Sequence, residues 1–141
     1  MSFDALDGVN WLAVVVATVV YFALGALWYA PQIFGKAWQR SMGWEMPAGQ
    51  RPSPAIYIGP LVGALVTTLA VASLAAATET NAVGEGIVLA IFVGFGIAVA
   101  VLFVTAVFEA TKPDRWTWFA ITAGYHFTGL LIASIVIAAW Q

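Results

Sequence analysis

A single histidine, His126, stands deep in an uncharged stretch that runs from residue 116 to the end of the chain. An imidazole titrates near neutrality, so in such surroundings it can hold a proton, coordinate a solute or serve as a hydrogen-bonding clasp. Tyr21, Tyr125, Thr67 and Thr68 are polar groups at comparable depth in other apolar stretches or beside it. An imidazole buried without partners is costly, so His126 is expected to bond Tyr21 or the Thr67/Thr68 pair rather than face hydrocarbon. Two chemistries remain open for this midplane group: a structural clasp between helices, and a proton-binding or substrate-coordinating site. A second candidate group lies where two apolar stretches end. Glu109 has Lys112 and Arg115 beside it in sequence, and Trp28, Tyr29 and Lys36 fall at the corresponding end of the first stretch. There a carboxylate can form an interfacial ion pair, with Lys112, Arg115, Lys36 or Arg40, or act as a transport or catalytic acid.

The residues that are absent narrow the chemistry further. The chain has no cysteine and only one histidine, which leaves no thiolate nucleophile and no multi-histidine metal set within one copy. There is no phosphate-cradling glycine loop and no histidine–carboxylate cluster, so neither a cofactor nor a metal is expected and an enzyme is the weakest reading. With 62% hydrophobic and 9% charged residues, the 141-residue chain is far from an ordinary soluble domain and from any nucleic-acid binder.

The charges are spaced so as to define the elements that must carry these groups. Residues 8–35, 52–78, 86–108 and 116–141 are free of Asp, Glu, Lys and Arg. A helix needs about 20 apolar residues to cross about 30 Å of hydrocarbon, so each stretch holds one crossing. The pattern predicts an all-α membrane protein, residues 1–141 forming one integral domain with helices near 9–30, 54–77, 86–109 and 116–139. An acidic leader and an over-long apolar run argue against reading the first stretch as a cleaved signal. Lys36, Arg40 and Arg51 lie between helices one and two, Lys112 and Arg115 between helices three and four, and no other segment contains lysine or arginine. That asymmetry makes both loops cytoplasmic and puts both termini outside. Trp11 and Trp140 then fall at the outer boundary, and Trp28, Trp38, Trp44, Trp116 and Trp118 at the inner one, where indoles are favoured.

Between the first two crossings, residues near 32–43 read as a short cytoplasmic interfacial helix. Ile33, Phe34, Ala37, Trp38, Ser41 and Met42 form its apolar face toward the acyl boundary, Lys36, Gln39 and Arg40 lie opposite, and Gly43 is the expected C-cap. Ser53 and Pro54 are the expected start of the second crossing, and Gly59-Pro60 should kink it. Because lipid supplies no hydrophobic drive for helix association, small residues mark the contacts: Gly86, Ala90, Gly94 and Ala98 on the third crossing, Gly59 and Gly63 on the second, and Thr122, Gly129 and Ala133 beside His126.

Three stretches, Asn10-Trp-Leu-Ala, Leu24-Gly-Ala-Leu-Trp-Tyr-Ala-Pro31 and Phe34-Gly-Lys-Ala-Trp38, together with Phe108-Glu109, Gly124-Tyr-His126 and the Trp140 ending, carry a likeness. Over essentially its whole length the chain resembles the bacterial membrane-protein family catalogued as domain of unknown function 1761. The resemblance implies a four-helix protein of the bacterial inner membrane and passes on no catalytic residue. Its most specific run falls at the end of the first crossing and on the interfacial helix, which marks that corner as more than an anchor. The partners expected are the lipid bilayer and either further copies of the chain or a larger membrane protein. The functions weighed are a small-solute or ion transporter or channel working as an oligomer, and an accessory or structural subunit.

Overall fold

The computed structural model describes residues 6–44 and 53–140; Arg51, one of the five basic residues, lies outside them. All regular structure among the described residues is helical: α1 (Trp11–Trp28), α2 (Gly35–Met42), α3 (Ala55–Ala77), α4 (Val83–Ala90), a π segment (Ile91–Val99), α5 (Ala100–Phe108) and α6 (Arg115–Ala138). The α4, π and α5 pieces run on as one rod, Val83–Phe108, so four rods are long and apolar enough to cross a membrane.

Local chemistry sets the rod ends. The Asn10 side chain accepts from the Ala13 N–H and starts α1, two residues inside the expected boundary. The third rod begins at Val83 rather than near 86, because the Glu85 carboxylate folds back to accept from the Asn81 and Ala82 N–H groups, and a charge expected in the loop becomes part of the first turn. Pro54 precedes α3, with the Ser53 hydroxyl accepting from the Ala55 N–H at 3.4 Å. Asp114 caps α6 through the Thr117 N–H. The α2 helix is shorter than expected, starting at Gly35, since residues 29–34 form a tight reversal in which the Phe34 N–H reaches the Trp28 carbonyl and the Gly35 N–H the Ala30 carbonyl. Gly43 ends α2 at φ 66, with its N–H on the Arg40 carbonyl and the Trp44 N–H on the Gln39 carbonyl, a left-handed cap that glycine adopts at no steric cost.

The fourth rod, α6, is the centre of the bundle. It packs against α1, α2, α3 and the whole length of the third rod, whereas the other main contact of α1 is with α3. Half of its most apolar stretch is buried, against about a tenth for the third rod. The core forms where α1, α3 and α6 meet on small side chains: Ala13, Ala17, Ala72, Ala75 and Ala133 are essentially inaccessible, with Val14, Val71 and Ile137 filling between them. Close backbone approach of this kind is what gives lipid-embedded helices their dispersion contacts. At one end the Asn10 amide donates to the Trp140 carbonyl at 2.6 Å and ties the start of α1 to the end of α6. At the opposite end the Asp114 N–H donates to the Ser41 carbonyl, and Gly43 sits against Pro113, so α2 and the 109–114 loop lie side by side with the basic residues.

Glycine placement divides the small-residue expectations. A Cβ at Gly86 would stand 2.8 Å from the Ser134 carbonyl, and one at Gly94 would stand 3.1 Å from the Phe127 ring, so both glycines lie where the third rod touches α6. A Cβ at Gly59 or Gly63 would meet nothing within 4 Å among the described residues, so of the contacts expected for these two, within the chain or between copies, the structure supplies none of the first kind. The reason is visible along α3. Its packing face, Ala64, Thr68, Val71 and Ala75, would continue through Pro60 and Tyr57, but every residue from 55 to 63 is exposed. Gly94→Leu is therefore expected to lower the thermal midpoint of the detergent-solubilised chain, whereas Gly63→Leu leaves it unchanged. Equal losses in the two variants, followed by light scattering of the melt, would contradict this division.

Candidate functional site

Tyr21 is three turns into α1, buried, and its phenol oxygen lies 2.8 Å from His126 Nδ1. With neutral imidazole the phenol O–H donates to Nδ1 and the ring proton sits on Nε2; with imidazolium Nδ1–H donates and the phenol oxygen accepts. The pair thus survives either protonation state. His126 is about 16 Å from Arg115 along α6, near the middle of the rod. Its ring is only half-buried, and no partner for Nε2 occurs among the described residues.

Gly129, one turn beyond His126, is what lets the Tyr21 ring in. A Cβ there would overlap three atoms of that ring, so glycine is required by close approach at this position. Gly25 does the same service for Tyr125, whose hydroxyl would stand 2.9 Å from a Cβ at 25. The Tyr125 hydroxyl donates to the Tyr21 carbonyl at 3.4 Å. Its ring lies 5.4 Å from Tyr21, 5.3 Å from Tyr29 and 4.8 Å from His126, centre to centre. Tyr29 in turn meets Trp38 of α2 at 5.0 Å. Trp38, Tyr29, Tyr125, Tyr21 and His126 therefore form one aromatic column from the basic end of the bundle to mid-rod.

The threonines stand apart from it. Thr68 is fully buried and its hydroxyl lies 2.6 Å from that of Thr18; one of the two donates across this bond while the other donates into its own helix, Thr18 to the Val14 carbonyl or Thr68 to that of Ala64. Thr67 is half-buried and makes no bond to the imidazole. Of the partners expected for His126, the structure supplies Tyr21 and not the threonine pair. Thr18 went unnoticed in the sequence; the signal for it was its place one turn before Tyr21 on the same face of α1.

The second candidate group is not one cluster. The Trp28 indole donates to the Ile121 carbonyl at 3.0 Å, and Tyr29 enters the column, so both are directed at α6. Lys36 is exposed. Glu109 caps its own loop, accepting from the Thr111 hydroxyl and from Lys112 Nζ at 2.9 Å, and the Lys112 ammonium lies over the Trp118 ring. Among the described residues no hydrogen bond or ion pair joins Glu109 to Trp28, Tyr29 or Lys36. The α2 face also differs from expectation. The Trp38 indole donates to the Thr122 hydroxyl at 3.3 Å and Ser41 is buried, so that part of the face docks on α6 instead of on lipid, while Ile33 and Phe34 precede the helix and are exposed.

The hydroxyl of Thr111 and the ammonium of Lys112 hold the Glu109 carboxyl well below its usual range, at about 2 against 4.5. A lowered carboxyl pKa stabilises the fold at all pH above the ordinary value and ceases to do so as pH falls through the lowered one. Glu109→Gln is expected to melt slightly below the parent at pH 7, and the gap should close between pH 4.5 and about 2. A gap that persists unchanged at pH 2.5 would mean that the carboxylate charge is not what holds the loop.

Span-length apolar rods gathered on one central helix, with a lone imidazole bonded mid-rod and basic residues at one end, define a small all-helical protein of membrane-spanning build. The chain belongs to the family described as protein of unknown function DUF1761, whose model matches residues 12–138. No curated protein and no solved structure matches it. The Leu27–Trp38 run that carried the resemblance is the corner where α1 turns back into α2: Trp28 and Trp38 donate to α6, Tyr29 makes edge contacts with Trp38 of α2 and Tyr125 of α6, and a Cβ on Gly35 would overlap the Tyr29 carbonyl. Those residue types are explained by docking α2 onto the central helix.

Proposed function

We propose that this is a four-crossing integral membrane protein of the bacterial cytoplasmic membrane, working as an oligomeric transporter or channel for protons or a small solute. The observation that carries the reading is the Tyr21–His126 bond at mid-rod, with the imidazole only half-buried. A titratable ring at that depth is costly to keep unless it is used, and a phenol partner that both donates and accepts allows it to change charge without losing its bond. The α1, α3 and α6 helices touch too closely to leave a passage between them, Ala13, Ala17 and Ala75 being inaccessible, so the path runs between copies. The test is flux in proteoliposomes holding a trapped pH indicator. Wild type should dissipate an imposed proton gradient and His126→Ala should not, with both variants equally folded.

Both termini lie on the outer side in this reading, because the basic residues gather at the opposite end. A reporter active only outside the cytoplasm, fused after Gln141, should be active; activity of a cytoplasmic reporter there would reverse the orientation.

One observation favours a second reading, an accessory subunit bound to a larger membrane protein. Gly59 and Gly63 form a small-residue face with no neighbour among the described residues, which suits a helix from elsewhere. An accessory subunit would be silent alone in the flux assay, and Gly63→Leu would release its partner.

A further inference from the structure

We propose that the groove between the third rod and α6 holds one acyl chain of an anionic phospholipid, whose phosphate is met by Arg115. The groove measures about 750 Å³, within the range of specific small-molecule sites, and is open along one side. Four phenyl rings line it, Phe95 and Phe103 from the third rod and Phe119 and Phe127 from α6, together with small residues, Ala120 and Gly124 among them. From Phe95 to Val104 it runs about 13 Å along the rod. The Phe95–Phe127 edge contact, 6.5 Å between ring centres, marks its mid-rod end.

Its other end leads to a cation. Phe103 and Phe119 each meet the Trp116 ring, at 6.0 and 6.2 Å, and the Arg115 guanidinium lies 5.4 Å from that ring. One guanidinium N–H donates to the Val107 carbonyl, and among the described residues Arg115 has no acidic partner. Lys112, the other cation of this loop, is already matched by Glu109. The mouth of the groove therefore presents an unneutralised, bidentate-capable donor beside an apolar trough. That is the complement of a phosphodiester joined to an alkyl chain. A packed helix is a poorer occupant, because helices approach over small residues on both sides and four phenyl rings line this groove. The inference rests on the membrane reading of the chain and not on transport, so a silent flux assay leaves it standing.

The experiment uses the full-length chain, delipidated in detergent and titrated with dioleoyl phosphatidylglycerol or dioleoyl phosphatidylcholine, with bound lipid counted by native mass spectrometry. Phosphatidylcholine carries the same phosphodiester but offsets its charge with choline, so wild type should retain one phosphatidylglycerol per chain in about fivefold preference to it, the effect of one basic residue facing an uncompensated anionic headgroup. Arg115→Gln should bring the ratio near one, and Arg115→Lys should keep most of it. Ala120→Phe, which fills the groove at an exposed position, should lose both lipids while the thermal midpoint without lipid stays at the parent value. Equal retention of the two lipids by wild type overturns the proposal, as does a preference that survives Arg115→Gln but falls with Arg40→Gln. Matching stabilisation by inorganic phosphate alone would overturn it too, since it would identify an anion site with no part for the groove. Should Ala120→Phe misfold, Ala100→Phe on the opposite wall gives the same test.

Discussion

Gly129→Ala should be among the costliest single methyl groups that could be added to the bundle. The new Cβ would lie under 3.0 Å from three atoms of the Tyr21 ring, and its position is fixed by the backbone of α6. The ring has nowhere to go: Tyr21 is buried, stacked on Tyr125 and bonded to His126. Overpacking a well-filled core costs about 1–3 kcal/mol, and a clash with a pinned ring belongs at the upper end. The expected result is a much reduced monodisperse fraction on size exclusion and a lower thermal midpoint. The added cost should largely vanish in a Tyr21→Ala background, where the ring is gone, but not in Tyr21→Phe, where it remains. A Gly129→Ala chain that melts like wild type would show that α1 and α6 stand further apart than this packing requires.

That contact illustrates what the sequence could and could not disclose. Four uncharged stretches between charge clusters placed all four rods to within about three residues, because a charged side chain inside hydrocarbon is expensive whatever the fold. Which rod lies at the centre was not legible. In a soluble bundle the outer faces are polar and point away from the core, whereas here Phe92, Phe95 and Leu12 on outer faces are as apolar as Ile137 within. Small residues marked contacts, but spacing alone does not say whether a neighbour comes. Gly86 and Gly94 meet α6 while Gly59 and Gly63, at the same spacing as Gly86 and Ala90, meet nothing among the described residues. The aromatic column was invisible for a different reason. Tyr21, Tyr29 and Tyr125 are brought together by the docking of α1 on α6, whereas depth along the sequence sorts them into two separate candidate groups. The π segment likewise has no signature in a 3.6-residue periodicity.

Replacement of His126 should separate the two meanings of its bond to Tyr21. If the imidazole only ties α1 to α6, His126→Gln keeps a donor and an acceptor on that face and leaves both stability and any flux at wild-type level. If the imidazole takes up and releases a proton, Gln cannot replace it, since an amide does not titrate, and flux is lost in His126→Gln as fully as in His126→Ala. Tyr21→Phe sharpens the test. It removes the phenol but not the ring that Gly129 admits, so the packing survives and only the bond to Nδ1 is lost. Under the transport reading, Tyr21→Phe retains flux with an altered pH dependence, because the imidazole is still present but no longer oriented. Under the clasp reading, Tyr21→Phe and His126→Ala lower the thermal midpoint by similar amounts, about 1 kcal/mol each for one hydrogen bond, and the double variant adds little more. Loss of flux in His126→Gln at an unchanged melting temperature would establish the proton-binding role. Flux that persists in His126→Gln would end it, and the Gly59–Gly63 face of α3 would then be the surface to follow.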